Sequence, residues 1–111
     1  MGAAPGFPRV IHGTDLKVKL ADLRRLARLD GVLAEVEAAL EAIQEALLTR
    51  PLPPSDVPDT FGEPRFSIPP FTICLATIAP VVVYFGVTTQ AINHHGQMVY
   101  PVVIRNLHLL T

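Results

Sequence analysis

The chain has 111 residues, half of them hydrophobic and only 17% charged, against about a quarter charged in an ordinary soluble domain. Lys and Arg total 9, Asp and Glu total 10, and the formal charge is −1, which leaves no basic excess for a nucleic-acid binder that works by neutralising phosphates. The single cysteine, Cys74, excludes an intramolecular disulfide framework and an all-thiolate zinc site within one chain.

Residues 1–18 read as an extended arm. Pro5, Gly6, Pro8 and Gly13 punctuate it and Val10-Ile11 is its apolar pair, too little surface to offset the entropy of ordering it. Its first ten residues carry no basic start, apolar run or cleavage site, so no secretory leader is expected.

Residues 19–49 predict one long helix, rich in Ala, Leu, Glu and Arg, all good helix formers. Leu26, Leu29, Leu33, Val36, Leu40, Ile43 and Leu47 alternate spacings of three and four, the pattern of a coiled-coil seam. The same stripe, widened by Val32, Ala39 and Ala46, also suits an amphipathic helix packed on its own domain. Gly31 costs such a helix about 1 kcal/mol relative to Ala and marks a candidate break. Base lies in the first half (Lys17, Lys19, Arg24, Arg25, Arg28) and acid in the second (Glu35, Glu37, Glu41, Glu45). That order opposes the helix macrodipole. Two copies running antiparallel would set base against acid.

Residues 50–70 hold seven prolines and read as an extended strap, able at about 3 Å per residue to wrap the body or cross to a neighbour. Residues 66–104 contain no Asp, Glu, Lys or Arg. Val, Ile, Thr, Tyr and Phe dominate there and favour strands; Pro80, Gly86 and an Asn93–Gln97 turn divide them into strands at 71–79, 81–92 and 98–110. Pro101 then belongs on an edge or at a bulge. A membrane helix over 71–92 is the competing reading, but it is short, interrupted by Pro80 and Gly86, and lacks flanking Lys or Arg.

The chemistry-bearing residues are few. His94-His95 is a weak metal candidate: neighbours on a strand point to opposite faces, so chelation needs both in a turn or one from each of three copies. Cys74 has no basic neighbour to lower its pKa and reads as a small buried apolar residue. Phosphate-loop, GxSxG and HExxH motifs do not occur, and neither catalytic residues nor a cofactor are expected.

The expected fold is α+β, with one long heptad helix, a proline-rich strap and a small antiparallel β segment (71–111) completed by other subunits. The expected function is a non-enzymatic structural or assembly protein forming a homo-oligomer of three or more copies. By organisation alone this suits a small virion component, in a capsid, connector, tail or fibre, held by larger structural proteins of the particle. The expected interface comprises the seven seam residues together with Val81, Val83 and Phe85. The alternatives are a single-span accessory subunit of a membrane complex and a soluble module binding metal at its His turn.

Overall fold

The computed structural model describes residues 9–13, 15–53, 55, 57–88 and 90–110. In chain order they form β1 (Arg9–Gly13), α1 (Leu16–Leu29), α2 (Leu33–Thr49), β2 (Glu63–Ile68), β3 (Phe71–Ile78), β4 (Val81–Val87), β5 (Ile92–His94) and β6 (Gln97–Leu109). The strands make one six-stranded mixed sheet in the order β1-β6-β4-β3-β2, with β5 paired to the first part of β6. β1 runs parallel to β6, and every other pairing is antiparallel. The expectation of one long helix beside a small β segment is therefore wrong: there are two helices over a larger sheet.

Gly31 is the physical reason for the second helix. It adopts φ 72°, a left-handed conformation that a residue with a Cβ enters only at a cost of about 1–2 kcal/mol. The Gly31 N–H donates to Arg28 O and the Val32 N–H to Ala27 O, the paired bonds of a Schellman stop. α2 then folds back along α1, and the Arg24 guanidinium bonds both carboxylate oxygens of Glu37 at 2.5 and 3.4 Å.

Both helices lie on one face of the sheet. Leu23 and Ala27 of α1 and Val36, Ala39, Ile43, Ala46 and Leu47 of α2 share a core with alternate strand residues: Cys74 and Ala76, Val81, Val83, Phe85 and Val87, then Val102, Ile104 and Leu107. Alternation places these on a common side of the pleat. The step from Ile104 to Leu107 is kept in phase by an irregularity in the β4–β6 register, where Ile104 opposes Phe85, Asn106 opposes Tyr84, and Arg105 is the extra residue. A second irregularity in β2 leaves Arg65 between the paired Pro64 and Phe66. Each is a bulge with an exposed arginine.

The segment after α2 is no spanning strap. The Phe61 N–H donates to Pro51 O at 2.8 Å, and the Arg50 guanidinium donates to Asp59 O, so the loop closes on itself. Leu52 and Phe61 anchor it in the core, and the Phe61 ring stacks on Phe85 with centroids 5.8 Å apart. Its last residues become β2.

Of the expected arm, Arg9–Gly13 is the edge strand β1; residues 1–8 and 14 lie outside the described residues. The Arg9 guanidinium donates to Leu47 O and Arg50 O, satisfying carbonyls that the end of α2 leaves open. The expected strands at 71–79 and 81–92 are present with shorter bounds, that at 98–110 is shifted by one residue, and Ile92–His94 is a separate strand. Pro101 lies neither on an edge strand nor at the bulge. It pairs with Val10 of β1, and on the other flank it falls between Val102, the last partner of β4, and Val99, the first partner of β5. Among the described residues no helix is long and apolar enough to cross a membrane, and residues 71–92 are mainly strand, which removes the competing reading of a membrane helix there.

Two glycines give a paired test of this packing. At Gly31 an added Cβ meets nothing within 4 Å, whereas at Gly62 (φ 87°) it would stand 2.8 Å from Phe85 Cζ. Gly31→Ala is expected to cost about 1–2 kcal/mol from backbone strain. Gly62→Ala adds overpacking of about 1–3 kcal/mol, so its urea midpoint should fall clearly further.

Candidate association surface

The side of the sheet away from the helices carries the other half of each strand. Its register builds rows across three or four strands. Phe66, Ile73, Gly86 and Val103 form one row; Glu63, Leu75, Tyr84 and Asn106 form the next; Thr77, Val82 and His108 form a third. Ile68 opposite Phe71 and Val10 beside Pro101 continue the apolar end. Gly86 flattens the centre of this face: a Cβ there would stand 3.2 Å from Ile73 Cδ1 and 3.4 Å from Phe71 Cβ, so those side chains lie across the bare backbone.

The face has two ends of different chemistry. One is apolar, and its outer strand is exposed along all six residues, with Phe66 54% and Ile68 42% accessible. The other is polar: Tyr84 and His108 stand with ring centroids 5.9 Å apart, beside Asn106. The β2 edge is itself half guarded. Glu63, Pro64 and the Arg65 bulge discourage strand addition along its first half; Phe66, Ser67 and Ile68 carry no such guard.

Most residues expected to form an oligomer interface are instead core. Val36, Ile43, Leu47, Val81, Val83 and Phe85 are buried beneath the helices, and Leu33 and Leu40 pack against the same cluster. The heptad stripe serves the chain's own sheet because the break at Gly31 ends the seam after Leu29. Leu26 and Leu29 remain exposed, Leu29 at 75%.

His94 and His95 lie at the β5–β6 hairpin. His94 pairs with Gln97, and the two-residue loop has His95 at φ 53° and Gly96 at φ 80°, the left-handed pair of a type I′ turn. The Asn93 side-chain oxygen accepts the Gly96 N–H. The histidine rings are 4.3 Å apart, yet among the described residues no three His, Cys, Asp or Glu are grouped to hold a metal ion.

A cleft of about 370 Å³ opens between the helices and the sheet, with Leu16, Leu20, Leu40, Ile104 and Leu107 among its walls. Its arginine, Arg24, is already bonded to Glu37. The sheet face away from the helices is therefore the candidate site: Ile73, Val82 and Gly86 at its centre are already buried, and its accessible apolar surface lies at the β2 end, on Phe66 and Ile68. The sequence signal for it was the alternation of Phe66 and Ile68 ahead of Phe71, Ile73 and Leu75, hidden by the prolines around it. A scan against protein-family models, a search of curated proteins and a search of solved structures each find no match for this chain.

Cys74 is fully buried, and that burial pushes its thiol up to about 11. In the native chain it should resist alkylation at pH 8 and react once urea unfolds the protein. The linkage has a definite sign. From about pH 9 to 11 the unfolded chain loses a proton that the folded chain keeps, so stability falls as pH rises through that window. Cys74→Ala should lack this decline in denaturant titrations at successive pH values.

Proposed function

We propose that this chain is a non-enzymatic structural subunit that assembles with further copies of itself, and that a second copy docks on the open sheet face. The observation that carries the reading is Phe66, 54% exposed at the end of the row Phe66–Ile73–Gly86–Val103. Each residue of that row falls within the stretch 66–104, which has no Asp, Glu, Lys or Arg. Ile73 and Gly86 of that row are already buried, so the area a second copy would cover lies mainly on Phe66 and Ile68. Uncharged apolar surfaces meet without repulsion, and covering them gains roughly 25 cal/mol per Å² of apolar area removed from water. Sheets pack face to face about 10 Å apart with their side chains interdigitating. Tyr84, Asn106 and His108 then form a polar rim, as interfaces commonly have.

Light scattering of the full chain without detergent is expected to give at least two chains per particle, joined sheet face to sheet face. Phe66→Lys places a charge on the apolar end at a side chain that contributes little to the fold, and it should reduce the mass to a smaller species. A wild-type chain that stays at 12.0 kDa at every concentration overturns the reading.

A further inference from the structure

We infer that the outer face of the α1–α2 hairpin is a second surface for self-association, where two copies pack hairpin on hairpin with the two-fold axis running along the helices. This deepens the reading above and rests on the chain assembling with itself. The argument begins with charge. α1 carries Lys17, Lys19, Arg24, Arg25 and Arg28 against one acid, Asp22; α2 carries Glu35, Glu37, Glu41 and Glu45 and no base. Little of this is used within the chain. Arg24 pairs with Glu37, Lys19 donates to Arg105 O, and Arg25 lies 3.7 Å from Asp22. Lys17, Glu35, Glu41 and Glu45 have no ion pair among the described residues.

At one end of each helix the charges also run against its own dipole, although Arg28 in the last turn of α1 and Glu35 in the first turn of α2 agree with it. Lys17 and Lys19 stand in the first turns of α1 and Glu45 near the end of α2, where the opposite charges would be favoured. A second hairpin resolves both. An axis along the hairpin sets α1 of one copy antiparallel on α2 of the other, twice, so each basic helix faces an acidic one. An axis across the hairpin would set α1 on α1, with like charges opposed. The Arg24–Glu37 pair fixes the heights: Lys17 is level with Gln44 and Glu45, and Arg25 and Arg28 with the first turn of α2. Rotation about an axis along the helices preserves those heights, so Lys17 of one copy meets the Glu45 end of the other.

The surface is also shaped for contact. Away from the sheet, α1 presents Val18, Ala21 and Leu29 beside Arg25, and α2 presents Ala34, Ala38 and Leu48 beside Glu41 and Glu45, all exposed. The small residues allow close approach of the helices, and the exposed Val18 and Leu29 supply apolar area towards the two ends of α1.

Charge reversal in a Phe66→Lys background, which removes the sheet contact, tests this. That background is expected to be a dimer whose dissociation constant rises with salt. Adding Lys17→Glu/Arg25→Glu, or Glu41→Lys/Glu45→Lys, should raise that constant by at least about tenfold and leave single chains, because like charges across an interface are strongly disfavoured. Lys17→Glu and Glu45→Lys agree better with the helix dipole than the native residues do, while Arg25→Glu loses the exposed contact to Asp22, a pair of small worth on a helix surface. The far-UV spectrum should therefore hold and the urea midpoint should move little. Mixing the two reversed chains in equal amounts should restore a species of two chains, each helix again facing its opposite. Reversed chains that keep the parent mass, or a mixture that stays monomeric, overturn the inference. A wild-type oligomer that falls to single chains on Phe66→Lys alone keeps the sheet reading and removes this one. A wild-type monomer removes both.

Discussion

Two helices can cover one face of a six-stranded sheet but not two, and the architecture follows from that shortage of covering material. The helical hairpin lies over β6, β4 and β3, where it buries Val81, Val83, Phe85 and their neighbours. The opposite face keeps its own apolar rows with no helix above them. Strands buried on both faces read as continuous apolar runs, and β4 does so: Val81, Val82 and Val83 are all buried. The outer strand β2 shows the other extreme, exposed from Glu63 to Ile68.

The charged residues are arranged around this constraint. Arg65 and Arg105 bracket the uncharged stretch 66–104, and both occupy bulges. A bulge leaves one residue out of the ladder and redirects its side chain, so the charge enters solvent while the strand on either side keeps its apolar phase. The helices take most of the remaining charge and divide it by sign, base on α1 and acid on α2. One exposed cross-pair, Arg24 with Glu37, links the two helices, which the shared apolar core holds in place.

Much of this was legible in the chain itself. The Val-rich run and Pro80 marked β3 and β4, and the Asn93–Gln97 turn marked the hairpin into β6, because short-range propensity and turn chemistry decide those features. Gly31 was visible as a break, but only the Schellman bonds decide that the helix reverses there. β1 was hidden because Arg9–Gly13 has few apolar residues of its own and is a strand only beside β6, a partner far along the chain. β2 was hidden by Pro64, Pro69 and Pro70, which read as an extended strap although edge strands tolerate proline. The seam residues were ambiguous in principle: a three-four repeat serves a partner helix or a sheet equally well. The open face was missed with β2, since its most exposed members are Phe66 and Ile68.

The parallel pairing of β1 with β6 bears on how the chain reaches this state. It sets residue 9 beside residue 100, so every other element lies inside the loop that this contact closes. Joining ends so distant in sequence costs entropy before the contact rewards it, and non-local topologies of this kind fold slowly. β6 is also a central strand, flanked by β1 and β4. During synthesis β2, β3 and β4 emerge with the flank of β4 unpaired until β6 follows, and β1 has no partner at all. The sheet is therefore sealed from its middle and at the end, which makes the growing chain dependent on staying unassociated during that interval.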